Sequence, residues 1–223
     1  MSKKTREEKI ANPDEIVRIL AAARVPVPRF DTAVKEVVPP TPEDFARAEG
    51  YYLLFFVQYL LGLRVGEITR LRFEYLEPNR KGGLLWVRVP TLKQRAKPPL
   101  ISVPVLWGDS VIQRAFDRQR LPPGTQWLFP SPVARGKATD ADTATHAFKR
   151  LVRSAGVREC LTTHSLRHAA ATAVSKACGS KKMVQQFLRH AEEQDTTDVY
   201  IHEPLESWQR IRGCLRLPPM PKG

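Results

Sequence analysis

The chain has 223 residues, 42% of them hydrophobic, enough for one large domain with a sizeable core and too apolar for a disordered tail. Lysine plus arginine number 36 against 23 acidic residues, a net charge of +13. Such an imbalance self-repels unless a polyanion is near, and nucleic acid is the usual one. A merely basic soluble protein is the plain alternative. The basic residues are spread along the chain rather than gathered in a tail, however, which predicts a folded cationic surface. No apolar run reaches the ~18–20 residues of a membrane span. The nearest, Tyr51 to Leu61, is short and contains Gln58. The start, Met1-Ser2-Lys3-Lys4-Thr5-Arg6, lacks the apolar core of a signal peptide, so the expected setting is intracellular, with no membrane partner. Cys160, Cys178 and Cys214 are odd in number and widely spaced, which supports neither a disulfide framework nor a cysteine zinc site.

Asn12-Pro13-Asp14-Glu15 reads as an N-cap, a proline at the first helical position and acid in the first turn, and Ile16, Ile19, Leu20 and Ala23 follow at helical spacing. Residues 25–40 hold four prolines and are expected to form a connecting loop. Thr41-Pro42-Glu43-Asp44 repeats the start signal, predicting a long helix to Leu61 that stops at Gly62. Its centre is apolar nearly all round, the mark of a buried helix. A short helix is expected over Val65–Leu71. The period then changes: Leu84–Val89, after the turn Lys81-Gly82-Gly83, and Leu100–Val105 read as strands joined by a basic hairpin tip over 91–99. Helices return at about 109–120, 140–155, 165–177 (just after His164), 181–189 (with Ser180 as its N-cap) and 204–213. The sum is an α+β, mainly α-helical domain with a small antiparallel sheet inserted early.

Cleaving a phosphodiester without metal requires a nucleophile, a cation to hold the non-bridging oxygens, a base for the nucleophile and an acid for the leaving oxygen. Arg64 and Arg167 suit the second task, because the guanidinium fork meets phosphate bidentately and keeps its charge. Arg64 is equally read as a helix-end arginine paired with Glu67, three residues on. His164 and Arg167 share a face at a helix start, while His164 and His168, four apart, also have the spacing of a zinc pair or of a cap beside an exposed histidine. Tyr200 follows Thr196-Thr197-Asp198-Val199, with Thr196 a candidate N-cap. A lone tyrosine there is usually a packing residue, and a phenol needs a nearby base such as His164 to attack at neutral pH. Lys93 and Lys97, at the hairpin tip, are candidates for the leaving oxygen or for a DNA groove, or are simply a solvated basic turn.

Taken together, these segments resemble the tyrosine recombinase (phage integrase) family, which is related to type IB topoisomerases. Gly62-Leu63-Arg64-Val65-Gly66-Glu67-Ile68 is similar to its first-arginine box, His164-Ser165-Leu166-Arg167-His168-Ala169 to its His-x-x-Arg box, and His190 with Thr196-Thr197-Asp198-Val199-Tyr200 to its second-histidine and nucleophile box. The resemblance spans about residues 12–202 and implies that family's helical catalytic fold. It also implies roles. Tyr200 would attack the scissile phosphate, leaving a 3′-phosphotyrosyl link and a 5′-hydroxyl. Arg64 and Arg167 would clamp the phosphate, and His190 would add a hydrogen bond. Lys93 would be the general acid and His164 would accept the tyrosine proton. Glu67 would orient Arg64, and His168 would support the site. Arg70, Arg95, Lys97 and Arg189 would contact DNA. No cofactor, metal or ATP is implied. The implied partners are double-stranded DNA and further copies of the chain, as a dimer or tetramer on DNA. The implied location is the cytoplasm, at the nucleoid, in a prokaryotic or mobile-element context.

The sequence also departs from the family pattern. Arg189 stands where the family has the glycine of Leu-Gly-His, the His190-to-Tyr200 gap is one residue longer than usual, and the strand spacing leaves Lys93 and Lys97 both open as the acid. The expected organisation is a basic lead over 1–11, a catalytic domain over 12–202 and a tail over 203–223, without the usual N-terminal core-binding domain. The tail is expected either to dock on a neighbouring protomer or to pack on its own domain. Two rival functions stand beside recombination: a DNA-binding regulator that keeps the fold without the activity, and a histidine-based metal hydrolase.

Overall fold

Two reciprocal caps open the helices that carry the core. Asn12 Oδ1 accepts the Glu15 N–H at 2.8 Å while Glu15 Oε2 accepts the Asn12 N–H at 2.9 Å, and α1 (Pro13–Arg24) follows. Thr41 and Asp44 make the same exchange, with the Thr41 N–H reaching Asp44 Oδ2 at 2.9 Å, and open α2 (Pro42–Leu60). The structure is a computed structural model and describes residues 9–26, 28–31, 35–81, 83–90, 100–118, 125–131, 134, 136–189 and 204–219. After α2 come α3 (Val65–Ile68), a 3-10 turn (Phe73–Tyr75), β3 (Leu76–Lys81), β4 (Leu84–Pro90), β5 (Leu100–Pro104), α4 (Asp109–Arg118), α5 (Ala141–Ser154), α6 (Thr163–Cys178), α7 (Lys181–Phe187) and α8 (Leu205–Arg210).

Helix α2 is the hub. Residues Tyr52–Leu61 are buried on every side, and α1, α4, α5 and α6 all pack against it. Phe55 meets Phe148 of α5 edge-on, with centroids 5.1 Å apart. The mainly helical fold with an early antiparallel sheet is the one expected, and β4 and β5 pair as the predicted hairpin, from Trp86 with Pro104 to Pro90 with Leu100.

Two strand regions differ from expectation. Within the proline-rich 25–40 segment, β1 (Arg29–Asp31) pairs antiparallel with β2 (Glu36–Val38). Three-residue strands are too short to show alternation. β3 pairs with β4 through a register shift between Glu77 and Lys81. Its sequence, Leu-Glu-Pro-Asn-Arg-Lys, has no strand pattern. It forms because it is an edge strand, where a proline and a bulge are tolerated and the partner supplies the order.

The tail packs on its own domain, one of the two outcomes expected. Trp208 and Leu215 have no exposure, Ile211 and Leu217 are buried, and the Gly213 N–H donates to the Leu106 carbonyl at 2.7 Å. No helix among the described residues is long and apolar enough to cross a membrane.

Candidate active site

The first-arginine segment turns on Gly62. Its φ of +56° is left-handed, and a Cβ there would stand 2.6 Å from the Phe187 ring of α7. The turn brings the C-terminal ends of α2 and α7 together, so carbonyl oxygens left without helical partners converge from both. α6 crosses beside them, and the Gln58 amide of α2 ties the junction by donating to the Leu63 and Thr163 carbonyls, at 3.2 Å each.

Glu67 lies in α3 with no exposure. It reaches back to accept the Arg64 N–H on Oε2 at 2.9 Å, so the turn itself supplies one anchor for the carboxylate. Its Oε1 accepts Arg64 Nη1 at 2.9 Å, which leaves the Arg64 side chain 29% exposed. The helix-end pairing and a phosphate-facing role are thus compatible: one edge of the guanidinium is held while part of it meets solvent.

Arg167 is almost enclosed. Its Nη1 donates to the Gly62 carbonyl at 2.6 Å and its Nη2 to the Leu188 carbonyl at 2.7 Å, and Nη1 lies 3.6 Å from Glu67 Oε2. Arg189 goes deeper. Nη2 donates to Glu67 Oε2 at 2.8 Å and to the Gly62 carbonyl at 3.1 Å, while Nη1 donates to the carbonyls of Leu61 at 3.1 Å and Phe187 at 3.0 Å. The expectation of Arg189 as a DNA contact is therefore corrected: its side chain has no exposure, and two helix ends and a carboxylate take up its Nη donors, while its buried Nε has no hydrogen-bond partner among the described residues.

Among the described residues, three arginines thus gather on one carboxylate, a centre with two positive charges in excess. Burial pushes the Glu67 carboxyl up, but Arg189, the Arg64 N–H and Arg167 together hold it below the ordinary range. Burial, then Arg189, draws Arg167 down to about 9, so it remains charged at neutral pH. Partial desolvation, then Arg167 and Arg64, lowers His164 below its ordinary 6.5 and favours the neutral imidazole. Such a centre suits an anion beside a neutral base.

Of the other sequence candidates, His168 is exposed on α6 with its ring 6.2 Å from that of His164, and Arg70 is exposed after α3. Lys93, Arg95, Lys97, His190 and Tyr200 lie outside the described residues. Among the described residues no group of three or more His, Cys, Asp or Glu side chains is placed to hold a metal ion. The sequence reading missed Gln58 as a tie and Arg189 as a buried partner of Glu67. The signal for Gln58 was a lone amide in an otherwise apolar run. Arg189 was marked only by standing at the family's glycine position, where the backbone is indeed left-handed at φ 55°; nothing in the sequence pointed to its burial on Glu67.

The phage integrase family model matches residues 33–206. Tyrosine recombinase XerD of Pseudomonas putida is 32% identical over 159 residues, covering 70% of this chain and 51% of that protein. XerD of Caulobacter vibrioides is 26% identical over 195 residues, covering 87% and 57%. The chain thus spans about half the length of the curated relatives it matches. Among solved structures, the integrase of mycobacterium phage Brujita superposes with a TM-score of 0.61 at 19% identity, covering 100% of this chain and 62% of that one. The lambda integrase catalytic core does so with 0.55 at 19%, covering 82% and 95%. These structural likenesses speak for the fold.

Proposed function

As a member of the phage integrase family, which its match over residues 33–206 makes it, the chain acts, we propose, as a DNA strand-cutting and rejoining enzyme of the tyrosine recombinase type. The observation that carries this reading is the centre of excess positive charge built by Arg64, Arg167 and Arg189 on Glu67, beside His164, whose pKa is lowered by burial and then by Arg167 and Arg64. In this scheme Tyr200 gives its proton to His164 and its oxygen forms a bond to phosphorus. The bond to the 5′-oxygen breaks, and that oxygen takes a proton from Lys93 or Lys97. Arg64 and Arg167, with His190, hold the non-bridging oxygens as charge builds on them. Glu67 aims Arg64, His168 supports the site, and Arg70, Arg95 and Lys97 meet the DNA backbone. The phosphotyrosyl link keeps the bond energy for rejoining, so the scheme calls for neither metal nor ATP. Residues 12–202 would form the catalytic unit, acting at the nucleoid.

Double-stranded DNA is the proposed substrate. Structural neighbours include XerH bound to difH and a lambda integrase tetramer bound to a Holliday junction, which motivates the further proposal that this chain assembles as a dimer or tetramer on DNA. The test is relaxation of supercoiled plasmid in EDTA, followed by trapping on a nicked duplex. A protein–DNA adduct that survives denaturant and disappears in Tyr200→Phe is the expected result. An adduct that persists in Tyr200→Phe would show the nucleophile to be wrong. Salt-sensitive DNA binding with neither adduct nor relaxation would leave the regulator reading in its place.

A further inference from the structure

Arg189 combines two costly features. Its backbone sits at φ 55°, a region that side-chain-bearing residues avoid, and its charged group is withdrawn from water completely. Both persist only where the surroundings over-determine them. They do so here, because one planar fork joins three elements: the end of α2 through the Leu61 and Gly62 carbonyls, the end of α7 through the Phe187 carbonyl, and α3 through Glu67. A lysine, with its donors on a single nitrogen, does not span that set.

We propose that Arg189 is a positioning residue for the phosphate clamp: it engages Oε2 of Glu67, fixes the carboxylate so that Oε1 aims Arg64, and leaves Arg167 to carry its charge toward a phosphate. The distances express the division. Arg189 takes Oε2 at 2.8 Å, Arg64 takes Oε1 at 2.9 Å, and Arg167 stands off at 3.6 Å, anchored instead by backbone carbonyls. Without Arg189, Arg167 would be drawn onto the vacated carboxylate oxygen, and the centre would lose one of its two excess charges. The inference rests on the reading of this centre as a phosphate clamp and adds a residue that touches no substrate.

The test uses the full chain and three variants: Arg189→Met, which keeps bulk without charge, Arg189→Lys, and the double variant Arg189→Met with Glu67→Gln. Thermal unfolding is followed at about pH 7 and about pH 4.5, and inorganic phosphate binding by calorimetry. The charged groups facing Glu67 are Arg64, Arg167, Arg189 and, at longer range, His164. Arg189→Met is expected to lower Tm by on the order of 10 °C near neutral pH, and by less near pH 4.5, because burial then raises the carboxyl against Arg64 and Arg167 alone and it takes up a proton more readily. Phosphate affinity should fall about tenfold or more, as for residues that orient ligands from behind. The double variant, which also takes the carboxylate from Arg64 and Arg167, should recover neither the Tm nor the phosphate binding. Arg189→Lys, which keeps a positive charge beside Glu67, should lose less Tm than Arg189→Met while still losing phosphate affinity, which covers the case in which the methionine variant does not fold.

Wild-type phosphate binding in Arg189→Lys, or a Tm deficit in Arg189→Met that is equal at both pH values, would overturn the proposal and make Arg189 a space-filling residue. A wild-type chain that binds no phosphate would bring down the clamp reading and this proposal together. Phosphate binding that Arg189→Met weakens, in a chain that forms no DNA adduct, would support the positioning role while removing the catalytic one.

Discussion

Glu67 shares two oxygens among Arg64, Arg189 and Arg167 in a setting without solvent. Glu67→Ala strands those cations. Breaking a buried ion pair costs about 3–5 kcal/mol, which in a chain of this size lowers Tm by roughly 10 °C, measurable by circular dichroism. The sign of the pH effect follows from the direction of the shift. The folded carboxyl lies below its ordinary 4.5, so its contribution is present above that pH and is lost as pH falls through the depressed value. His164 gives a second prediction. Its pKa is lowered from 6.5, chiefly by desolvation and then by Arg167 and Arg64, so the imidazole stays a base below that pH. The acid limb of strand cleavage should therefore fall below pH 6.5 and move toward 6.5 in Arg64→Gln, which removes a neighbouring positive charge. A limb that Arg64→Gln leaves in place would assign it to another group. The residue types of this site were legible in the sequence, because arginine, histidine and glutamate at three-residue spacing fall on one helical face. Which arginine faces solvent was not, because burial is decided by elements far apart in sequence.

At the scale of elements, the caps carry local information that tertiary packing leaves intact. Asn12→Ala removes one half of the exchange with Glu15 and should cost about 1 kcal/mol by urea denaturation. Glu15 would keep its ion pair with Arg158, at 2.6 Å, so α1 should stay docked on the residues after α5. α1, α2 and α7 were legible because Asn12, Thr41 and Ser180 mark their starts, each with its side chain accepting from the third residue on. β3 was not. Leu76–Lys81 has neither alternation nor β-branched residues, and its strand form is lent by β4 across a bulge. β1 and β2 were missed for a related reason: each is too short to show a period, and the prolines that bracket them read as a loop.

At the scale of the whole molecule, the tail is part of the core. Trp208 is fully enclosed, so Trp208→Ala should destabilise the chain by about 3–5 kcal/mol, with a loss independent of protein concentration. A loss that grows on dilution would instead indicate a tail shared between copies. The sequence by itself determined the helical class, the pairing of the early strands and the excess of positive charge, because caps, hydrophobic period and charge are local or additive properties. Only the tertiary structure decided that the ends of α2 and α7 meet, that Arg189 lies beneath Glu67 instead of on the surface, and that Arg64 keeps a partly exposed guanidinium. The physical reason is that these outcomes depend on where unpaired carbonyl oxygens and apolar surfaces come to rest in space, and 122 residues separate Glu67 from the arginine that completes it.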